Sequence, residues 1–305
     1  MPSAWPTLAY GDWQASCDTL HAHTQLLGKL AVALAPPEPQ LQHAALQLTT
    51  RGWQTLPLPA PDGSGSLSAL LDLHVHEAVL EHSDGRSARF SLLADSVAAV
   101  TRSVLDAARA MVGPFEIDLR PQEVSWTVAL DEDEEHTVYD PSQVARYFAA
   151  ATSAAQVLSA FRAPFRGRST PVNAWWGSFD LAVSLFSGRP ADPPSQDFIM
   201  RNAMDSQEVA LGWWPGDARY EGAAFYAYAH PAPDGFGEAS LSPSGARWAG
   251  DLGEFVLDWD DVCASPDPLA YALDFTRSAF SHACAVCEWD PALAATAQGT
   301  PPPVA

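Results

Sequence analysis

The sequence predicts an α+β fold in which antiparallel sheets carry packed helices. Three features lead there. Short segments of strand character come in two clusters, each broken by Gly, Pro, Asn and Asp. Longer segments with apolar residues at three- and four-residue steps flank each cluster. Strands that follow one another without an intervening helix pair antiparallel, because a parallel connection needs a long crossover.

Residues 12–35 read as an amphipathic helix. Trp13, Cys17, Leu20, Thr24, Leu27, Ala31 and Leu34 make one stripe, Asp12 is the expected N-cap and Pro36-Pro37 the stop. Residues 42–58 read as strand, turn, strand about Arg51-Gly52. Segments 69–76, 78–83 and 88–93 read as strands, the last two joined by the hairpin signal Ser83-Asp84-Gly85. Asp95 or Ser96 opens a helix over 97–112, ended by Gly113-Pro114. Residues 115–130 read as extended, and Asp131 to Glu135, five acids in a row, as a solvated loop. Asp140-Pro141-Ser142-Gln143 starts a helix that runs to about Phe161. Strands about Gly177 over 171–187, a loop over 188–206 and strands at 208–214, 223–230 and 254–259 follow. Asp267-Pro268 opens a last helix to about Cys287.

The order helix, strands, helix occurs twice, which predicts two duplicated halves, 1–125 and 126–290, and a disordered tail at 291–305.

Composition narrows the function. With 47% apolar residues, the 305-residue chain can bury a large core. A net charge of −21 argues against nucleic-acid or anionic-membrane partners, which need a cationic footprint. No run approaches the ~18 apolar residues of a membrane span. The N-terminal segment lacks a leader pattern, and the four cysteines fit a reducing compartment, so a soluble cytoplasmic protein is expected. Lys29 stands alone among the cations against fifteen arginines. Either it survives by chance, or it is needed as a compact charge whose pKa can shift.

Several motifs carry a resemblance: Trp5-Pro6, Thr19-Leu20-His21, Thr24-Gln25, Gly28-Lys29, Tyr139-Asp140-Pro141, the run Pro171 to Ala182 containing Trp175-Trp176-Gly177-Ser178-Phe179-Asp180, Phe186-Ser187-Gly188-Arg189 and Phe225 to Ala229. Together they resemble an uncharacterised bacterial domain-of-unknown-function family of about this length, over residues 5–290. The resemblance implies no activity, cofactor or catalytic residue. Ala22-His23, Leu41-Gln42 and His230 depart from the family pattern.

Among the residues themselves, His21, Gln25 and Lys29 form a polar stripe beside the apolar one, because steps of four advance only about 40° around a helix. With Gly28 allowing close approach, the stripe can border a cleft; its rival reading is a half-exposed helix flank. Strand alternation places Trp176, Ser178, Asp180 and Ser184 on one face, where a carboxylate needs a partner such as Arg189 or Arg51. Tyr226 and Tyr228 share another face, and Glu208 is a second carboxylate. The expected site is a pocket for an anionic small molecule. His21, Lys29 and Asp180 are its acid–base groups, and Gln25, Arg51, Trp176, Arg189, Glu208, Tyr226 and Tyr228 its ligand-binding groups. The alternative is a non-catalytic protein whose polar residues hold the two halves together. No cofactor or metal is expected. Cys284-Ala285-Val286-Cys287 is a lone CxxC at a helix C-terminal end, and His74 with His76, sharing a strand face, lacks a third ligand.

Overall fold

The computed structural model describes residues 5–93 and 95–299, which divide into two units, each discontinuous in sequence. Unit 2 holds residues 10–148 and 173–180; unit 1 holds 5–9, 149–172 and 181–299.

Unit 2 is built on α1 (Tyr10–Leu34). Instead of showing one apolar stripe, this helix is buried all round, every residue from Thr19 to Ala31 being enclosed. A helix covered on all sides must satisfy its polar residues internally. Thr19 and Thr24 do so on their own helix, donating to the Ala15 and His21 carbonyls at 2.9 and 2.7 Å. Asp12 lies in the first turn rather than capping it. A 3-10 turn at Pro39–Ala44 follows.

The unit 2 sheet comprises β1 (Gln47–Leu48), β2 (Gly52–Gln54), β3 (Leu58–Pro59), β4 (Ser66–Asp72), β5 (Glu77–His82) and β6 (Ser87–Ser91). Its order is β1-β2-β4-β5-β6, all antiparallel, with β3 also on β4. Gly52, at φ +147°, brings its Cα against the Leu71 carbonyl, where a Cβ would lie 2.0 Å from the oxygen. The strand expected over 69–76 ends at Asp72, and residues 73–76 turn with His76 at φ +57°. His74 and His76 therefore share no strand face. His74 Nε2 meets the Thr50 carbonyl, and His76 Nδ1 meets the Tyr139 hydroxyl.

The helix α2 (Val97–Val112) is capped by Ser96, whose hydroxyl accepts from Ala99 N at 3.2 Å, and stops at Gly113, φ +84°. Residues 115–130, expected as extended, form neither strand nor helix. The helix α3 (Pro141–Arg162) starts where Asp140 accepts from Ser142 N and Gln143 N. Unit 2 closes with β7 (Asn173–Trp175), bridged through Ala174 to Leu46.

Alternation across 176–180 fails because these residues turn. Phe179 adopts φ +58°, a left-handed conformation unfavourable for a side chain of its size. Its ring sits among Tyr147, Trp53 and His21 at 5.1, 5.2 and 4.9 Å, all nearly parallel, and this packing offsets the backbone cost.

Unit 1 contains β8 (Asp180–Pro190), α4 (Phe198–Ala203), β9 (Ser206–Trp214), β10 (Ala224–His230), β11 (Arg247–Ala249), β12 (Glu254–Asp258), α5 (Trp259–Ala264), α6 (Pro268–Val286) and α7 (Pro291–Thr296). Strands run β11-β12-β10-β9-β8, antiparallel, with α6 across β9, β10 and β12. The 188–206 segment, expected as loop, contains the end of β8 and α4. Residues 291–296, expected as disordered tail, form α7. Asp290 caps it, the Thr296 hydroxyl accepts from Arg166 N, and Trp289 and Ala297 are buried beside it. Residues 300–305 of that expected tail lie outside the described residues. Cys284 and Cys287 are free and buried, and burial pushes the Cys284 thiol up to about 12, as an inert core thiol requires.

Candidate functional site

On α1, His21 and Gln25 are both engaged by backbone groups. His21 Nε2 lies 2.9 and 3.0 Å from the carbonyl oxygens of Trp176 and Gly177. Carbonyls only accept, so Nε2 carries the proton and donates to both. That nitrogen is therefore already engaged by backbone. The Gln25 amide pairs with the backbone of Gln122, donating to its oxygen at 2.8 Å and accepting from its nitrogen at 3.1 Å. Such a reciprocal pair fixes a strandless segment against a helix; it is structural.

Lys29 is different. It is only 4% exposed, and its ammonium has no hydrogen-bond partner among the described residues. It lies 5.4 Å from the centre of the Trp176 ring, and burial lowers its pKa, with Asp118 opposing and Arg120 adding. Trp176 in turn donates to the Ala44 carbonyl at 3.1 Å and rests on Gly28, where a Cβ would come within 2.0 Å of the indole. Asp180 is buried and accepts from the Ser178 hydroxyl. Arg51 is held elsewhere in the unit by Asp72, its Nε donating at 2.6 Å.

The remaining expected ligand groups belong to unit 1. Arg189 is exposed on β8. Glu208, on β9, is 4% exposed; burial pushes its carboxyl up to about 7, against a hydrogen bond from Ser184. Tyr226 and Tyr228 stack with parallel rings 6.1 Å apart, Tyr226 lying over Gly212. Of the ten expected site residues, six belong to unit 2 and four to unit 1.

Unit 2 also contains a groove of about 520 Å³ along the N-terminal part of α1, lined among others by Asp12, Trp13, Asp18, Thr19, Glu135 and His136. Its chemistry centres on the acidic run. Asp133, expected as solvated, is 1% exposed. Its Oδ1 accepts from the backbone nitrogens of Glu135 and His136 at 3.1 and 3.0 Å, and its Oδ2 accepts from His136 Nδ1 at 2.7 Å. The carbonyls of Asp133 and His136 accept from Ala98 N and Val97 N, satisfying the orphan donors at the start of α2. The loop is thus anchored at both ends of its His–Asp pair.

With Nδ1 committed to Asp133, the His136 Nε2 is the free ring nitrogen and has no partner among the described residues. Trp126 packs on the same ring at 4.9 Å. Asp18, also in the lining, takes a hydrogen bond from Tyr10 at 2.9 Å, yet burial raises its pKa, with Tyr10 and His136 opposing. An oriented imidazole beside a half-buried carboxyl in one groove can take a proton from a bound molecule. Behind them His23 is 1% exposed with neither ring nitrogen bonded among the described residues, and burial pushes its pKa down to about 4. Sequence reasoning missed Asp18, Asp133 and His136. The signal was the Asp-x-x-His spacing at the end of the acidic run, at which a carboxylate can reach back to an imidazole.

A hollow of about 510 Å³ in unit 1, lined by Tyr220, Asp258, Asp260 and Asp261, is internally paired: Tyr220 and Arg247 both bond Asp258. Among the described residues no group of three or more His, Cys, Asp or Glu is placed to hold a metal ion, and no helix is long and apolar enough to cross a membrane.

No curated protein and no solved structure matches the chain. A family model does match, over residues 5–296, in agreement with the motifs centred on Trp176 and Phe179, and the chain therefore belongs to the family of unknown function DUF5996.

Proposed function

We propose that this protein is an enzyme acting on a small molecule held in the unit 2 groove, by general base catalysis. His136 is the base, and Asp18 is the carboxylate that orients the substrate. The observation that carries the reading is the His136 ring, fixed through Nδ1 by buried Asp133 and leaving Nε2 unpartnered in a groove that also contains a carboxyl of raised pKa. The proposal needs no cofactor. The free cysteines and the acidic charge suit a cytoplasmic location, and the recurrence of helix, strands, helix (α1, β1–β6, α2; then α3, β7–β12, α6) supports a remote duplication with halves 1–125 and 126–290.

The test is consumption. Wild-type protein and His136→Gln are incubated with a metabolite mixture and compared by mass spectrometry, with melting temperatures measured alongside. The expected result is a compound consumed by wild type and spared by a folded His136→Gln. Equal consumption by both, or none by either, overturns the catalytic reading.

A second reading, a non-catalytic protein whose polar residues are scaffold, is favoured by the Gln25–Gln122 pair. Gln25→Ala then lowers the melting temperature sharply, while no substitution at His136 changes any turnover.

A further inference from the structure

We infer that the unit 2 groove takes a small organic amine bearing a hydroxyl or carbonyl oxygen near its ammonium group; this rests on the reading of the groove as a ligand site. Two independent observations point there. The first is the sign of the lining. Asp12, Asp18 and Glu135 line the groove, Asp133 stands behind His136, and no Lys or Arg is in the wall. The N-terminus of α1 opposes this with about half a positive charge, which a single carboxylate already outweighs. An anionic ligand, expected from the sequence, would be placed against like charge; an ammonium would be held.

The second observation is Trp13. It lines the same groove, is 3% exposed, and its indole N–H has no acceptor among the described residues. Tyr147 stacks on its ring at 5.2 Å. A buried donor left unpaired is costly, and a ligand oxygen removes that cost. His136 Nε2, with Nδ1–H directed at Asp133, presents a lone pair that accepts from a ligand hydroxyl or ammonium. The groove thus offers an indole donor, an imidazole nitrogen and several acidic side chains. An amine without oxygen leaves the indole unpaired, and an oxygen-rich anion is repelled. The volume, about 520 Å³, is that of a small-molecule site.

Four probes separate these features: glucosamine, N-acetylglucosamine, glucuronate and cyclohexylamine. Each is titrated into full-length protein labelled at histidine, and the His136 ring resonances are followed by NMR. Glucosamine is expected to shift them saturably in the millimolar range, with each other probe weaker by about tenfold or more. Asp18→Asn, at a half-buried position, weakens glucosamine by a similar factor. Trp13→Phe, checked for folding by circular dichroism, removes the advantage over cyclohexylamine. Binding of glucuronate at His136 as tight as that of glucosamine overturns the amine assignment and leaves the site standing. No movement of His136 with any probe overturns the site itself and this inference with it.

Discussion

Asp133 Oδ2 accepts the Nδ1 proton of His136 at 2.7 Å, while Asp133 Oδ1 takes the backbone N–H of the same histidine at 3.0 Å. One carboxylate thereby fixes both the loop and the tautomer of the ring it carries. Asp133→Asn keeps an oxygen for the backbone but presents N–H to Nδ1. The ring must then deprotonate at Nδ1 and protonate at Nε2. The expected outcome is a tautomer switch visible in long-range 1H–15N spectra of the histidine, with a stability loss of about 1–3 kcal/mol. An unchanged tautomer would show that Asp133 does not set it.

Lys29 is 4% exposed, and among the described residues its ammonium meets only the Trp176 face and distant charges. Removing it relieves desolvation and forfeits a cation–π contact worth about 0.5–2 kcal/mol. Lys29→Met, similar in length and apolar, is expected to leave the melting temperature unchanged or raise it. A sharp fall would mark Lys29 as part of the scaffold.

Much of the fold was legible because its signals are local. The α2 boundaries follow from the Ser96 hydroxyl and the freedom of Gly113 at φ +84°, both written within the helix ends. The turn at 176–179 was not legible, since Phe179 enters the left-handed region only because Trp53, Tyr147 and His21, all distant in sequence, stack around it. The same distance limits the site. His21 and Gln25 were recognisable as a polar stripe, but their partners lie 155 and 97 residues away, and only those partners decide between catalysis and scaffold. Asp133 looked like one acid among five. Its burial depends on His136 and on the start of α2, neither of which the run itself announces.

His23 makes stability depend on pH in one direction. Burial lowers its folded-state pKa to about 4 from 6.5, so between those values the unfolded chain binds a proton that the folded one does not. Stability therefore rises with pH through that window, by up to about 3 kcal/mol from this residue. His23→Leu also removes two unbonded ring nitrogens from the interior. Urea unfolding at pH 4.5 and pH 7 is expected to show a flatter pH response for the variant and stability at least equal to wild type at pH 7. If the variant is much less stable at pH 7, His23 has an unseen partner such as an enclosed water.

Glu208 acts in the opposite direction. Burial on β9 raises its carboxyl from 4.5 to about 7, outweighing the Ser184 hydrogen bond, with Asp205 adding to the rise. Between those values the folded protein holds a proton that the unfolded chain has released, so stability falls as pH rises from 4.5 to 7. Glu208→Gln keeps a hydrogen-bonding group of the same shape for Ser184 and abolishes the charge. The variant is expected to match wild type near pH 4.5 and to exceed it by about 2–3 kcal/mol above pH 7 in urea unfolding. Because His23→Leu flattens the rise and Glu208→Gln flattens the fall, the two variants must move the stability optimum in opposite senses. A Glu208→Gln profile parallel to wild type from pH 4.5 to pH 8 would mean that this carboxylate is ionised in the folded protein and stabilised by contacts other than Ser184.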